Sequence, residues 1–136
     1  MMSREEYLHV VEAYPLHARF GFTIDAHSPG RCEASCTIGP EHLNIGGVVH
    51  GGVMYLLMDV AAYCAAVTVM PEGMNATTHD IHISVMRPTP PDVQLTLIAS
   101  VKKAGRSLYF IDCEATVDDR LVASARVTKS LIPLQR

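Results

Sequence analysis

Asn44-x-x-Gly47-x-x-His50-Gly51-Gly52 leads into an apolar stretch, Val53 to Met70, that only Asp59 and Thr68 interrupt. A glycine-rich turn opening a helix offers unpaired backbone N–H groups, and glycine lets a ligand approach them closely. Those amides carry the partial positive charge of a helix N-terminus, which suits negative charge developing on a carbonyl oxygen during acyl transfer. Gly51 and Gly52 are therefore candidate donors, although tight helix packing would use the same glycines equally well. Acyl transfer also needs a base or nucleophile, and Asp59 is the candidate. Aspartate is a poor helix-interior residue, and a carboxylate among apolar side chains costs several kcal/mol unless partners satisfy it.

Nine residues separate His50 from Asp59, so on one helix they point to opposite sides, roughly 13 Å apart along the axis. A single chain cannot bring them together. If both serve one site, the helix of a second subunit must supply the other half, and a two-fold axis then makes two equivalent sites.

The elements that must position these groups are legible in outline. Ser3-Arg4-Glu5-Glu6 has the form of a capping box, and a short amphipathic helix follows until Pro15. Phe20–Ile24 and Arg31–Ile38 are extended stretches that should pair as a hairpin through Ser28-Pro29-Gly30. After the central helix, strands are expected over Ala76–Arg87, Asp92–Lys103, Ser107–Val117 and Leu121–Ile132, with short turns between them making an antiparallel meander. The fold class is α+β, with five or six antiparallel strands and one long helix. Because that helix is apolar on every side, the sheet must curl around it, or a second subunit must cover it. No linker, repeat or low-complexity segment divides the chain, so it reads as one domain over residues 1–136.

Composition narrows the function further. Hydrophobic residues make up 49% of the 136, enough for a sizeable core, and the net charge of −3 gives no reason to expect nucleic acid or a membrane surface as partner. Any anionic ligand must be met by local cations. The first residues show no basic patch followed by an apolar run, so a cytoplasmic location is expected. Val53–Met70 approaches membrane-span length, but the central Asp59 and the Pro71 beyond it mark a core helix. The four cysteines, Cys32, Cys36, Cys64 and Cys113, have no metal-like spacing, and Cys32 and Cys36 would lie about 13 Å apart on one strand. Free thiols are expected, with Cys64 a core residue rather than a nucleophile.

The glycine-rich motif followed seven residues later by Asp59 resembles the hotdog-fold acyl-CoA thioesterases of the phenylacetate-pathway, PaaI-like kind. The order of hairpin, loop, long helix and further strands is similar to that family, and Met86-Arg87-Pro88 resembles its third-strand ending. The resemblance implies a sheet wrapped around the helix and a site between subunits, with assembly as a dimer or a dimer of dimers. It implies that Asp59 activates water or attacks the thioester itself, that the Gly51 N–H polarises the carbonyl, and that Asn44 and His50 shape the pocket. A small hydroxyl residue often opens the strand after the helix in that family, where Thr78 is the candidate beside Thr77. Arg87, Lys103 and Arg106, near strand ends with Lys102, are candidates for the phosphates of coenzyme A, though hairpin solubility also accounts for such clusters.

The activity implied is hydrolysis of an acyl-CoA thioester without metal or redox cofactor, coenzyme A entering as part of the substrate. Alternatives are a non-catalytic acyl-CoA-binding protein and an enoyl-CoA hydratase, the latter wanting a downstream His paired with Asp59 that no motif supplies. A metal site at His42, Asp80 and His82 lacks a third ligand fixed by spacing. On this reading Asp59→Asn removes a buried charge, so stability is expected to hold or rise.

Overall fold

A computed structural model describes residues 2–134 as one curved six-stranded antiparallel sheet with a long helix in its concavity. Helix α1, Arg4–Ala13, opens with the expected capping box: the Ser3 hydroxyl accepts from the Glu6 N–H, and the Glu6 carboxylate accepts from the Ser3 N–H. Leu8 and Val11 bury its inner face.

Pro15 starts a second helix, α2 over Pro15–Arg19, instead of clearing the way for a strand. Proline is preset for the first helical position, and Gly21, at φ +72°, then turns the chain. The strand expected over Phe20–Ile24 is therefore displaced: β1 is Thr23–Ser28, and Phe20 is the residue that ends α2. It pairs with β2, Arg31–Thr37, across the expected Pro29-Gly30 turn.

A short 3₁₀ turn at Pro40–His42 and the loop beyond it lead to α3, Gly51–Val67. The remaining strands are β3 (Met74–Val85), β4 (Gln94–Ala104), β5 (Leu108–Val117) and β6 (Arg120–Pro133). Their spatial order is β1-β2-β4-β5-β6-β3. The expected four-strand meander is thus corrected: β4, β5 and β6 are consecutive hairpins, but β3 pairs with β6 and not with β4. Met86–Val93 carries Pro88, Pro90 and Pro91, which cannot form a tight ladder-continuing hairpin. This segment crosses the end of the sheet instead, where the Ile38 N–H bonds the Val93 carbonyl and the Asp92 N–H bonds the Ile38 carbonyl, tying it to the end of β2.

β3 also changes parity. A bulge between Thr78 and Asp80 shifts its register against β6, so Ala76 and Thr78 turn inward before it and Ile81 and Ile83 after it. The even-then-odd placement of those side chains is the sequence trace of that bulge.

Leu57, Met58, Ala61, Cys64 and Ala65 of α3 are fully buried against sheet residues such as Leu95, Leu97 and Ile111. The opposite stripe, Gly52, Tyr55, Leu56, Asp59 and Tyr63, keeps some exposure, with Tyr55 at 45%. One sheet does not cover an all-apolar helix, as the sequence required. All four cysteines are free and buried. No helix of the described residues is long and apolar enough to cross a membrane.

Candidate active site

Asp59 sits mid-way along α3 with its side chain 27% exposed, and it is not alone. Its Oδ1 accepts hydrogen bonds from Lys129 Nζ and Thr78 Oγ1, both at 2.8 Å, and Lys129 Nζ also lies 2.8 Å from Thr78 Oγ1. Its Oδ2 has no hydrogen-bond partner among the described residues. Thr78 reaches the carboxylate because it is the last inward residue before the bulge, whereas Thr77 on the other face of β3 is exposed. One turn beyond Asp59, the Tyr63 ring lies 5.6 Å from Lys129 Nζ, and its hydroxyl bonds Asn75 and Tyr7. Burial, with the Tyr7 hydrogen bond second, pushes the Tyr63 hydroxyl far above the ordinary phenol range, so it remains a neutral donor.

The other candidate group is the start of α3. His50 is the N-cap, in extended backbone conformation, and its Nδ1 accepts from the Gly52 N–H at 2.8 Å. The Val53 and Met54 amides both bond the His50 carbonyl. That leaves the Gly51 N–H as the first-turn amide with no acceptor among the described residues. An added Cβ at Gly51 would meet nothing within 4 Å, so the approach to that amide is open. Gly52, placed beside it by the sequence as a binding residue, has its N–H engaged by His50.

The loop that carries this opening is built from its own backbone. Asn44 Oδ1 accepts from the Gly46 and Val48 amides, while Gly47 takes a positive φ of 78° to close the turn. Beneath it, the buried His42 ring bonds the Phe20 carbonyl through Nε2 and the Gly39 amide through Nδ1, and its own carbonyl accepts the His50 N–H. His42 thus steadies the helix entrance.

The chain holds the two ends apart. Asn44, Gly51, Met54, Arg87 and Thr89 line one surface recess, while His17, Asp59, Tyr63, Thr78 and Lys129 line another. Because His50 caps the helix rather than lying within it, the opposite-side angle does not strictly apply. The axial rise does, and eight residues from Gly51 to Asp59 still span about 12 Å. The cations are divided in the same way. Arg87 follows β3 beside Val122, whereas Lys103 and Arg106 flank the β4–β5 turn near the Leu108–Ser130 pair. These two rows lie roughly 26 Å apart along β6.

Lys129 was missed from the sequence, although a signal was there. Ala123, Ala125 and Val127 alternate inward along β6, and the next position of that parity is a lysine. A charge on the core face of a strand needs a partner, and the one unpaired core carboxylate was Asp59.

A curved antiparallel sheet around one long helix, with an open amide at the helix start and a carboxylate two turns on, defines the hotdog class of thioesterase-like proteins. Residues 46–124 match the Thioesterase superfamily, and the chain belongs to that enzyme family. A Caenorhabditis elegans protein named as an esterase is 34% identical over 98 residues, 70% of this chain, and the chain spans 57% of that relative's length. Human acyl-coenzyme A thioesterase 13 is 28% identical over 111 residues, covering 80% of this chain and 79% of that one. Among solved structures, the Escherichia coli PaaI protein of the phenylacetic acid degradation operon superposes with a TM-score of 0.86 at 23% identity, covering 94% and 91% of the two chains. A Streptococcus mutans protein bound to acetyl CoA superposes with a TM-score of 0.78 at 20% identity, covering 85% and 92%.

Proposed function

We propose that this protein hydrolyses an acyl-CoA thioester at sites formed between two subunits. The observation that carries this is the complementarity of two half-sites: an unengaged Gly51 N–H at one recess and an unengaged Asp59 Oδ2 at the other. Neither half can do acyl transfer alone. A two-fold axis would set the Gly51 end of one chain against the Asp59 end of the other. β3 is the edge strand on which such pairing could build, since its outer side has no neighbour among the described strands.

In the assembled site the thioester carbonyl oxygen accepts from the Gly51 N–H, where the helix dipole favours developing negative charge. Asp59 Oδ2 takes a proton from water as the hydroxyl bonds the carbonyl carbon. The tetrahedral adduct then expels the thiolate, which takes up a proton and leaves as free coenzyme A. Direct attack by Oδ2, giving an anhydride that water opens, uses the same geometry. The two-fold arrangement would also bring Arg87 of one chain toward Lys103 and Arg106 of the other, the cations proposed to meet the coenzyme A phosphates. Family membership and the acetyl CoA held by the S. mutans neighbour support the ligand class.

The test is release of free thiol from a panel of aromatic, short-chain and long-chain acyl-CoAs, run beside Asp59→Asn. Turnover that the substitution abolishes supports the reading. Binding of acyl-CoA with no turnover on any member would replace it with a carrier role.

A further inference from the structure

The reaction above uses Asp59 Oδ2 and does not by itself call for a lysine on the core face of β6. Lys129 is only 2% exposed, and an apolar residue of similar volume generally fills such a position at lower cost. What the lysine does there can be read from three contacts. Its ammonium donates to Asp59 Oδ1 and to Thr78 Oγ1, and the Thr78 hydroxyl donates to the same Oδ1. The three groups close a triangle with every side 2.8 Å. Both donors fall on one carboxylate oxygen, so rotation about the carboxylate bond is stopped with Oδ2 as the oxygen left over. The Tyr63 ring holds the ammonium from a further side at 5.6 Å. Tyr63 is itself fixed through its hydroxyl to Asn75 and Tyr7.

We propose that Lys129 is a positioning residue for the hydrolytic carboxylate. Acting through Asp59 and Thr78, it fixes Oδ2 as the working oxygen and balances the charge of the carboxylate. This rests on the hydrolase reading of the site. It also specifies the reacting atom, which that reading alone does not.

Lys129→Met keeps length and volume while removing the ammonium, and Lys129→Gln keeps a neutral donor. Each is compared with the parent and combined with Asp59→Asn, measuring kcat and KM for an acyl-CoA that the parent hydrolyses. Lys129→Met is expected to lower kcat by about tenfold to a hundredfold, the cost of misplacing a reacting group by about an ångström, with KM within about twofold. Lys129→Gln should fall between it and the parent. On the Asp59→Asn background, Lys129→Met should cause no further loss of kcat and should raise the melting temperature, because the stranded ammonium is gone. Parental kcat in Lys129→Met overturns the proposal. So does a loss that multiplies independently with that of Asp59→Asn, or one confined to KM. If Lys129→Met does not fold, Lys129→Gln decides alone: parental kcat overturns the proposal, and lowered kcat at unchanged KM supports it. Full activity in Asp59→Asn would instead overturn the hydrolase reading, a separate outcome visible before any lysine variant is made.

Discussion

Among the described residues Asp59 is paired at one oxygen and free at the other, and the pairing changes what its substitution does. From the sequence, removing a charge from an apolar helix should leave stability unchanged or improved. That expectation did not count Lys129, whose side chain is 3% exposed and whose anion would be lost. Asp59→Asn should therefore lower unfolding free energy by about 3 kcal/mol, the lower end for breaking a buried pair given the partial exposure of Asp59. It should also lower kcat by roughly two to four orders of magnitude, the scale of a lost general base. Denaturant titration and thiol-release kinetics on one preparation check both effects, and unchanged stability would mean that the lysine does not need its partner. The thiols are a second matter at this scale. Burial, with Glu41 nearby, pushes Cys36 from 9.0 up to about 11. The side-chain interaction with Cys32, then burial, raises Cys64, and burial raises Cys113. Native protein at pH 8 should resist iodoacetamide at these positions. Because the folded thiol holds its proton longer than the unfolded one, the Cys36 contribution is complete below about pH 9 and is lost as pH climbs toward 11. Rapid labelling of Cys36 in folded protein at pH 8 would contradict the burial. Asp59 and Gly51 were legible because a charge and two adjacent glycines break an apolar pattern. Lys129 was not, because a lysine near a strand end normally reads as a solvated one until the parity of the strand is followed to its last residues.

The start of α3 turns on a single amide, and its geometry allows that amide to be removed without disturbing the helix. Gly51 is the first helical position, where proline is well accepted, and His50 before it has ψ 136°, the extended conformation that a following proline requires. Gly51→Pro should fold and still lose about 10²–10³ in kcat, the cost of one oxyanion donor. Gly51→Ala keeps the N–H and adds a methyl where nothing lies within 4 Å, so it separates crowding from donor loss. Gly52→Ala would place its Cβ 3.1 Å from His50 Nδ1 and should weaken the cap, lowering the melting temperature where Gly51→Ala does not. Circular dichroism melts beside kinetics distinguish the three. Gly51→Pro with parental kcat would remove the amide from the mechanism. Most elements were legible from periodicity and turn residues. The partner of β3 was not, since Pro88, Pro90 and Pro91 mark a break without saying whether the next strand returns beside β3 or crosses to β2 and β5. That choice is made by long-range pairing with β6, where β3 matches β6 over eleven residue pairs from Met74–Pro133 to Val85–Ala123.

At the scale of the whole molecule, the exposed stripe of α3, the unpaired edge of β3 and the divided half-sites all call for a second copy. On the proposed reading the cations serve a site that no single chain completes. Arg87→Ala, Lys103→Ala and Arg106→Ala should each raise KM for acyl-CoA more than they lower kcat, the pattern of lost ground-state binding. Unchanged kinetics in all three would return them to the role of solubility charges. The proposal of an intersubunit site comes from the His50–Asp59 spacing, because the rise of a helix is fixed. Which faces meet was not legible in the sequence, because it depends on the crossover and on the bulge of β3. The most direct measurement mixes inactive Asp59→Asn with inactive Gly51→Pro under conditions where isotope-labelled subunits are seen to exchange. If each site draws its carboxylate and its amide from different chains, half the dimers are mixed and each has one intact site, so activity should return to about a quarter of the parental value. No recovery in a mixture proven to exchange would place both groups within one chain and contradict the account.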